Sequence, residues 1–240
     1  MISALILVVF AAFTGQLPAP TAPTGSGAVA PVDEFRRIAL AHSELRSYDL
    51  RIDVSVEING SSVPFHAAVR CDDRQRCLRL FQGSTTLETP QLSLLIDKTD
   101  RTITVRHRKP ADVTETTSSQ ATVAMDPSKA FETWRQNGGN VSGGDMTSNG
   151  QHWIVNTGKP EFPRLEMYVD EKSHLLRRVL YESKAASGIA TKVDIHYSWG
   201  DPARIDRAEF EQSRFVKEES GTISPVEGYA DYRVINSDQP

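Results

Sequence analysis

The chain has 240 residues, of which 39 % are hydrophobic and 24 % charged, with a formal net charge of −4 and a pI of about 5.9. That composition suits a globular protein with room for one large or two small domains. It lacks the basic excess of a nucleic-acid binder, so no nucleic-acid partner is expected.

Residues 1–32 contain no charged side chain. Within them, Ile2 to Phe13 forms an apolar run of signal-peptide length, short for a membrane span. Small-x-small sites at Val9-Phe10-Ala11 and Ala12-Phe13-Thr14 place a signal peptide at residues 1–15, and hence a periplasmic protein. Secretion, or anchoring by an uncleaved N-terminus, is the alternative. Residues 16–32 form a Pro/Ala/Gly-rich linker, extended and flexible. A single domain is expected over residues 33–236.

That domain opens on an amphipathic helix, with Phe35, Ile38, Ala39 and Leu45 close to helical spacing. At Leu50 the period changes to two. Leu50, Ile52, Val54, Val56 and Ile58 alternate with Arg51, Asp53, Ser55 and Glu57, which is a strand with one apolar face. Asn59-Gly60 supplies the two positive-φ positions of a tight hairpin, and the chain returns through Val63, Phe65, Ala67 and Val69. Cys71 and Cys77 close a polar loop at the spacing of a hairpin, and an oxidising compartment favours a disulfide between them. Strands follow at Leu78 to Phe81, Leu92 to Ile96 and, after a turn at Asp97-Lys98-Thr99-Asp100, Ile103 to Val105. A Thr/Ser-rich loop covers residues 109–124.

Asp126-Pro127 starts a second helix, with Phe131 and Trp134 on one face, and Gly138-Gly139 stops it. Further strands are expected at Trp153–Val155, Leu165–Val169, Leu175–Tyr181 after a turn at Asp170-Glu171-Lys172-Ser173, and Thr191–Trp199, with a closing strand over Tyr229–Ile235. Phe210 and Phe215 sit in a segment of undefined type. The count is about nine or ten short strands with two helices. The fold class is therefore mainly β (α+β): a curved antiparallel sheet forming an incomplete β-barrel, its apolar face covered by short helices.

No His-Glu-x-x-His, Gly-x-Ser-x-Gly or phosphate-loop sequence is present. Asp194-x-His196 alternates with Val193, Ile195 and Tyr197, so these two belong to a solvated face rather than to a metal site. Asp72-Asp73 beside Arg74 and Arg76 reads as a solvated loop tip. No catalytic residue, metal or cofactor is expected, and the chain is read as non-enzymatic.

Three stretches carry a family resemblance. They are Phe35 to Ile58, where a helix meets a strand through Leu45-Arg46-Ser47-Tyr48-Asp49-Leu50; Asp126 to Val141; and Phe162-Pro163-Arg164-Leu165-Glu166-Met167-Tyr168-Val169-Asp170 followed by Leu175-Leu176-Arg177-Arg178-Val179. Together they resemble the LolA/LolB-like periplasmic lipoprotein carriers, over about Phe35 to Trp199. The resemblance implies a half-closed barrel under a helical lid, binding an acyl chain, a lipid or a lipidated protein, with an encounter at the membrane surface. The lining is then Ile52, Val54, Val56, Phe65, Leu94, Leu165, Met167, Val193 and Ile195, with Phe131 and Trp134 on the lid, whereas their helical spacing by itself is that of core packing. The alternative is a periplasmic or secreted interaction domain whose concavity is filled by its own side chains.

Overall fold

A computed structural model of the chain describes residues 37–38, 41–42, 44–108, 138–157, 164–184 and 190–237. The expected leader, the linker, the loop at 109–124, and the helix bearing Phe131 and Trp134 lie outside the described residues. Helical backbone at residues 37–38, 41–42 and 44 lies ahead of the first strand, where the apolar spacing requires a helix.

The strands are β1 (Tyr48–Ile58), β2 (Ser61–Asp72), β3 (Arg76–Phe81), β4 (Ser84–Glu88), β5 (Leu92–Asp97), β6 (Thr102–His107), β7 (Asn140–Thr147), β8 (Gly150–Asn156), β9 (Arg164–Val169), β10 (Leu176–Lys184), β11 (Ala190–Gly200), β12 (Val216–Glu219), β13 (Thr222–Pro225) and β14 (Arg233–Asn236). Twelve form one sheet in the order β14-β6-β5-β4-β3-β2-β1-β11-β10-β9-β8-β7, while β12 and β13 pair with each other. The ladder ends at β14 and β7 and does not close on itself. The protein is thus mainly β with one large open sheet, as expected.

Several local expectations meet their physical cause. Asn59 and Gly60 have φ of 53° and 77°, the left-handed pair that a tight antiparallel hairpin needs. Asp97 accepts hydrogen bonds from the backbone N–H groups of Thr99 and Asp100, which turns the chain between β5 and β6. Asp170 does the same for Lys172 and Ser173 before β10. The Ser173 N–H is the largest influence on the Asp170 carboxyl. With the Ser173 hydroxyl and the Arg177 guanidinium, it holds the pKa at about 2 against the opposing effect of burial.

Three features differ from the expectation. Fourteen strands, not nine or ten, occur among the described residues, with β12 and β13 unannounced. β4 is a full strand that the apolar period does not announce, because Thr85 stands at one of its two buried positions. The closing strand, β14, runs parallel to β6, with Val234 opposite Ile103. The long segment between β11 and β14 allows this, since parallel neighbours need a crossover and not a tight turn.

Cys71 and Cys77 are directly opposite on β2 and β3 and form a disulfide, with Cα atoms 4.2 Å apart. Asp72 and Arg76 add one more pair beyond it, so the turn itself is only Asp73 to Gln75. A loop this short restricts the unfolded chain modestly. The Cys71→Ser/Cys77→Ser double variant is expected to lose about 2 kcal/mol in urea unfolding. A loss near zero would show that the hairpin is held by its ladder alone.

The chain divides into two compact units. Among the described residues, the first comprises those up to Leu45, Asp53–Phe65, and the part that falls within 118–197. The second comprises Arg46–Ile52, the part of 66–117 that is described, and residues from Ser198 onward.

In the first unit the helix before β1 is tied to the sheet through His42. Its Nδ1–H donates to the Ile38 carbonyl at 2.8 Å, and its Nε2 accepts the Leu176 N–H at 3.3 Å. This arrangement requires the neutral ring. Burial lowers the His42 pKa below 6.5, against the opposing bond to Ile38. A folded-state pKa below the unfolded one contributes stability above the unfolded value, and loses it as pH falls. The melting temperature is expected to drop from about pH 7 to about pH 5, and His42→Leu should flatten that slope. An unchanged slope in the variant would assign the acid sensitivity to other groups.

Candidate functional site

The first unit carries a continuous apolar face across five strands. One row runs Gly143, Trp153, Met167, Val179, Ile195, each residue directly opposite the next on β7, β8, β9, β10 and β11. A second row, two residues along, runs Val141, Val155, Leu165, Tyr181, Val193. Trp153, Val155, Met167, Val179, Tyr181, Val193 and Ile195 are buried, and Leu165 is half-buried. β1 adjoins β11 in the ladder and brings a buried Val54 and a half-buried Val56. The Oγ atoms of Ser55 and Ser62 are 2.7 Å apart. By strand alternation Val54 and Val56 therefore share the opposite face with Phe65, which is half-buried.

Two glycines shape the outer end of this face. β7 has a bulge between Gly143 and Asp145. A Cβ on Gly144 would lie 2.9 Å from the six-membered ring of Trp153, so the indole seats where only hydrogen leaves room. Burial raises the Tyr181 hydroxyl to about 12, and burial together with Tyr181 raises Tyr197 further. Both phenols are therefore neutral at physiological pH.

The second unit is filled differently. Leu78, Leu87, Leu92, Leu94, Ile96, Ile103 and Val105 pack against Phe210, Phe215 and Val216 from the C-terminal segment. That segment includes four short 3-10 helices, the first two at Pro202–Arg204 and Arg207–Phe210. Asp201 and Asp206 cap these two by accepting the Ala203 and Ala208 N–H groups. Arg70 fastens it to the sheet, donating to Glu209 Oε2 at 2.6 Å and to Asp49 Oδ1 at 3.3 Å. Arg207 reaches Asp72 at 3.2 Å.

The Arg70 contacts also sort the faces. Arg70 lies in one row with Leu78, Leu87 and Leu94, so its partner Asp49 is on that side. Ile52, three residues beyond Asp49 on the same strand, points to the other side.

The expected lining residues are thus partly united. Val54, Val56, Phe65, Leu165, Met167, Val193 and Ile195 belong to the first unit. Ile52 and Leu94 belong to the second, on opposite faces, and Leu94 is covered by the C-terminal segment. Phe131 and Trp134 lie outside the described residues. Trp153 and Tyr181 were not anticipated as members of the face. The signal for them was in the sequence, since both keep the period-two pattern of their strands.

On the other side of the first unit, His152, Tyr168, Arg178 and His196 stand directly opposite one another across four strands. His152 stacks on Tyr168 at 4.7 Å, and Arg178 lies over the Tyr168 ring at 5.8 Å. Arg178 also binds both oxygens of Asp194, at 2.8 and 2.6 Å. Burial acts to raise the Asp194 carboxyl, but the Arg178 hydrogen bonds and the His196 and Arg178 charges outweigh it and hold the group below its usual range. The Asp194–His196 pair is thus part of a paired polar face, and no group of three or more metal-ligating side chains occurs among the described residues.

No family model and no curated protein matches the chain. Among solved structures it is similar to an uncharacterized conserved protein from Thermus thermophilus, at 10 % identity over 85 % of this chain and 98 % of that one, with a TM-score of 0.43. It is also similar to a LolA superfamily protein from Nitrosomonas europaea, at 7 % identity over 78 % and 99 %, with a TM-score of 0.30. A third is the Pseudomonas aeruginosa MucA/MucB complex, at 12 % identity, where the match covers 75 % of this chain and only 59 % of that one, with a TM-score of 0.34. None of these likenesses assigns the chain to a family. No helix among the described residues is long and apolar enough to cross a membrane.

Proposed function

We propose that this chain is a non-enzymatic cell-envelope protein that binds an acyl chain, as a lipid or a lipidated protein, against the apolar face of its first unit. The observation that carries the reading is the pair of apolar rows across β7–β11, extended by Val54, Val56 and Phe65. A ligand tail covering such a face gains about 0.8 kcal/mol for each methylene removed from water. The uncharged apolar run at Ile2–Phe13 supports export to the periplasm, where acylated ligands meet the protein at a membrane surface.

The second unit favours a second reading. Its apolar face is closed by the chain's own Phe210, Phe215 and Val216. If the first unit is closed in the same manner, the protein is an interaction domain with a self-filled core.

Val54→Trp separates the two. Val54 is 5 % exposed. If the face admits a ligand, the larger ring takes up ligand space: uptake of a fluorescent fatty acid falls while the melting temperature hardly moves. If the face is packed solid, the same change overpacks it and costs about 1–3 kcal/mol. A native mass spectrum of detergent-free protein with a bound mass of lipid size is the expected companion result. A strongly destabilised variant, together with a wild type that takes up no probe, would leave the closed interaction domain.

A further inference from the structure

The apolar face of the first unit holds two polar atoms that the described residues leave unanswered. Trp153 is 4 % exposed, yet its indole Nε1 has no hydrogen-bond partner among the described residues. Two residues earlier on β8, Gln151 Oε1 is enclosed and equally without one. Residues two apart on a strand share a face, about 7 Å from each other. Gln151 stands directly opposite the fully buried Val169, and Trp153 opposite Met167. Both side chains therefore belong to the face proposed to take the acyl chain.

Buried polar groups are nearly always paired, and a purely hydrocarbon ligand would leave both of these unpaired. The indole is a donor only, and the amide oxygen an acceptor. A matching ligand must accept at one point and donate a few ångströms along. An ester accepts but cannot donate. A secondary amide does both, with its carbonyl and N–H on opposite sides of one planar group. The close seat of the indole over Gly144 holds the donor in place before anything binds, which favours affinity.

We infer that the ligand of this face is an acyl chain attached through an amide, its carbonyl accepting from Trp153 Nε1–H and its N–H donating to Gln151 Oε1. This rests on the acyl-binding reading and specifies its ligand class. The acylated amino terminus of a protein and a free N-acyl amino acid both present this group.

The test uses three pyrene-tagged probes of one chain length: an N-acyl glycinamide, a fatty-acid methyl ester and an alkane. Wild-type protein should bind them in that order of decreasing affinity. Trp153→Phe should weaken the amide and the ester by about 3- to 10-fold and leave the alkane unchanged. Gln151→Leu should weaken the amide alone. Equal wild-type affinity for all three, or a uniform loss in both variants, overturns the assignment while the acyl-binding reading stands. Uptake of none of the three overturns that reading, and the assignment with it.

Should Trp153→Phe fold poorly, the wild type gives the answer directly. The chain has three tryptophans, and one indole N–H resonance should move downfield with the amide and ester but not with the alkane; no such movement overturns the assignment. Tighter binding of an N-acylated decapeptide than of the glycinamide identifies an acylated protein as the source, and equal binding a small N-acyl lipid.

Discussion

Phe210→Ala is expected to destabilise the second unit by about 3–5 kcal/mol, the usual cost of truncating a buried phenylalanine. Phe210 is 3 % exposed and belongs to one buried cluster with Leu78, Leu87, Leu94, Phe215 and Val216. Its loss leaves a cavity that the sheet strands cannot collapse to fill, because their spacing is set by the ladder. The segment that carries it is held by the Arg70–Glu209 and Arg207–Asp72 contacts. Those pairs are partly exposed and contribute far less than the ring. Arg207→Ala should therefore cost under about 1 kcal/mol. Equilibrium urea unfolding of the two variants gives the comparison. A Phe210→Ala loss no larger than that of Arg207→Ala would mean the C-terminal segment is not part of the core.

Gly150→Ala is expected to be the most damaging single change in the first unit outside its apolar face. Gly150 has φ of +111°, and a Cβ there would lie 2.3 Å from the Val169 carbonyl oxygen, a backbone atom that cannot rotate away. Strain in such a backbone region costs about 1–3 kcal/mol, and the collision with β9 adds to it. Gly60→Ala provides the control. It also has positive φ, +77°, but a Cβ meets nothing within 4 Å. Its cost should be the conformational one alone, about 1–2 kcal/mol. Melting temperatures of the two variants should therefore separate clearly, with Gly150→Ala lower. Equal shifts would show that β8 and β9 part easily at that end.

Much of this fold was legible because a strand with one buried face repeats every two residues, whatever it packs against. The alternation from Leu50 to Ile58, the Asn59-Gly60 hairpin, the Cys71–Cys77 pairing and the Asp turns at Asp97 and Asp170 are all local, and each has its cause within a few residues. β4 was hidden because threonine fills a core position that the period expects to be aliphatic. The Asp201-Pro202 and Asp206-Arg207 starts of the 3-10 turns carried a capping signal, but turns of three or four residues are too short for any apolar period to mark.

What the sequence could not determine is which side of one strand meets which side of another. Period two says that Ile52 and Asp49 point opposite ways, and that Leu94 is apolar. Only the register, with Arg70 opposite Leu78 and bonded to Asp49, puts Ile52 and Leu94 on different faces. The same holds for Phe210 and Phe215: they come more than a hundred residues after the leucines they cover, and nothing local names their partner. Trp153 and Gln151 show the limit for the site itself. Their spacing is visible in the sequence, but whether an indole N–H is answered or left alone depends on every atom that packing brings near it, and that only the tertiary structure decides.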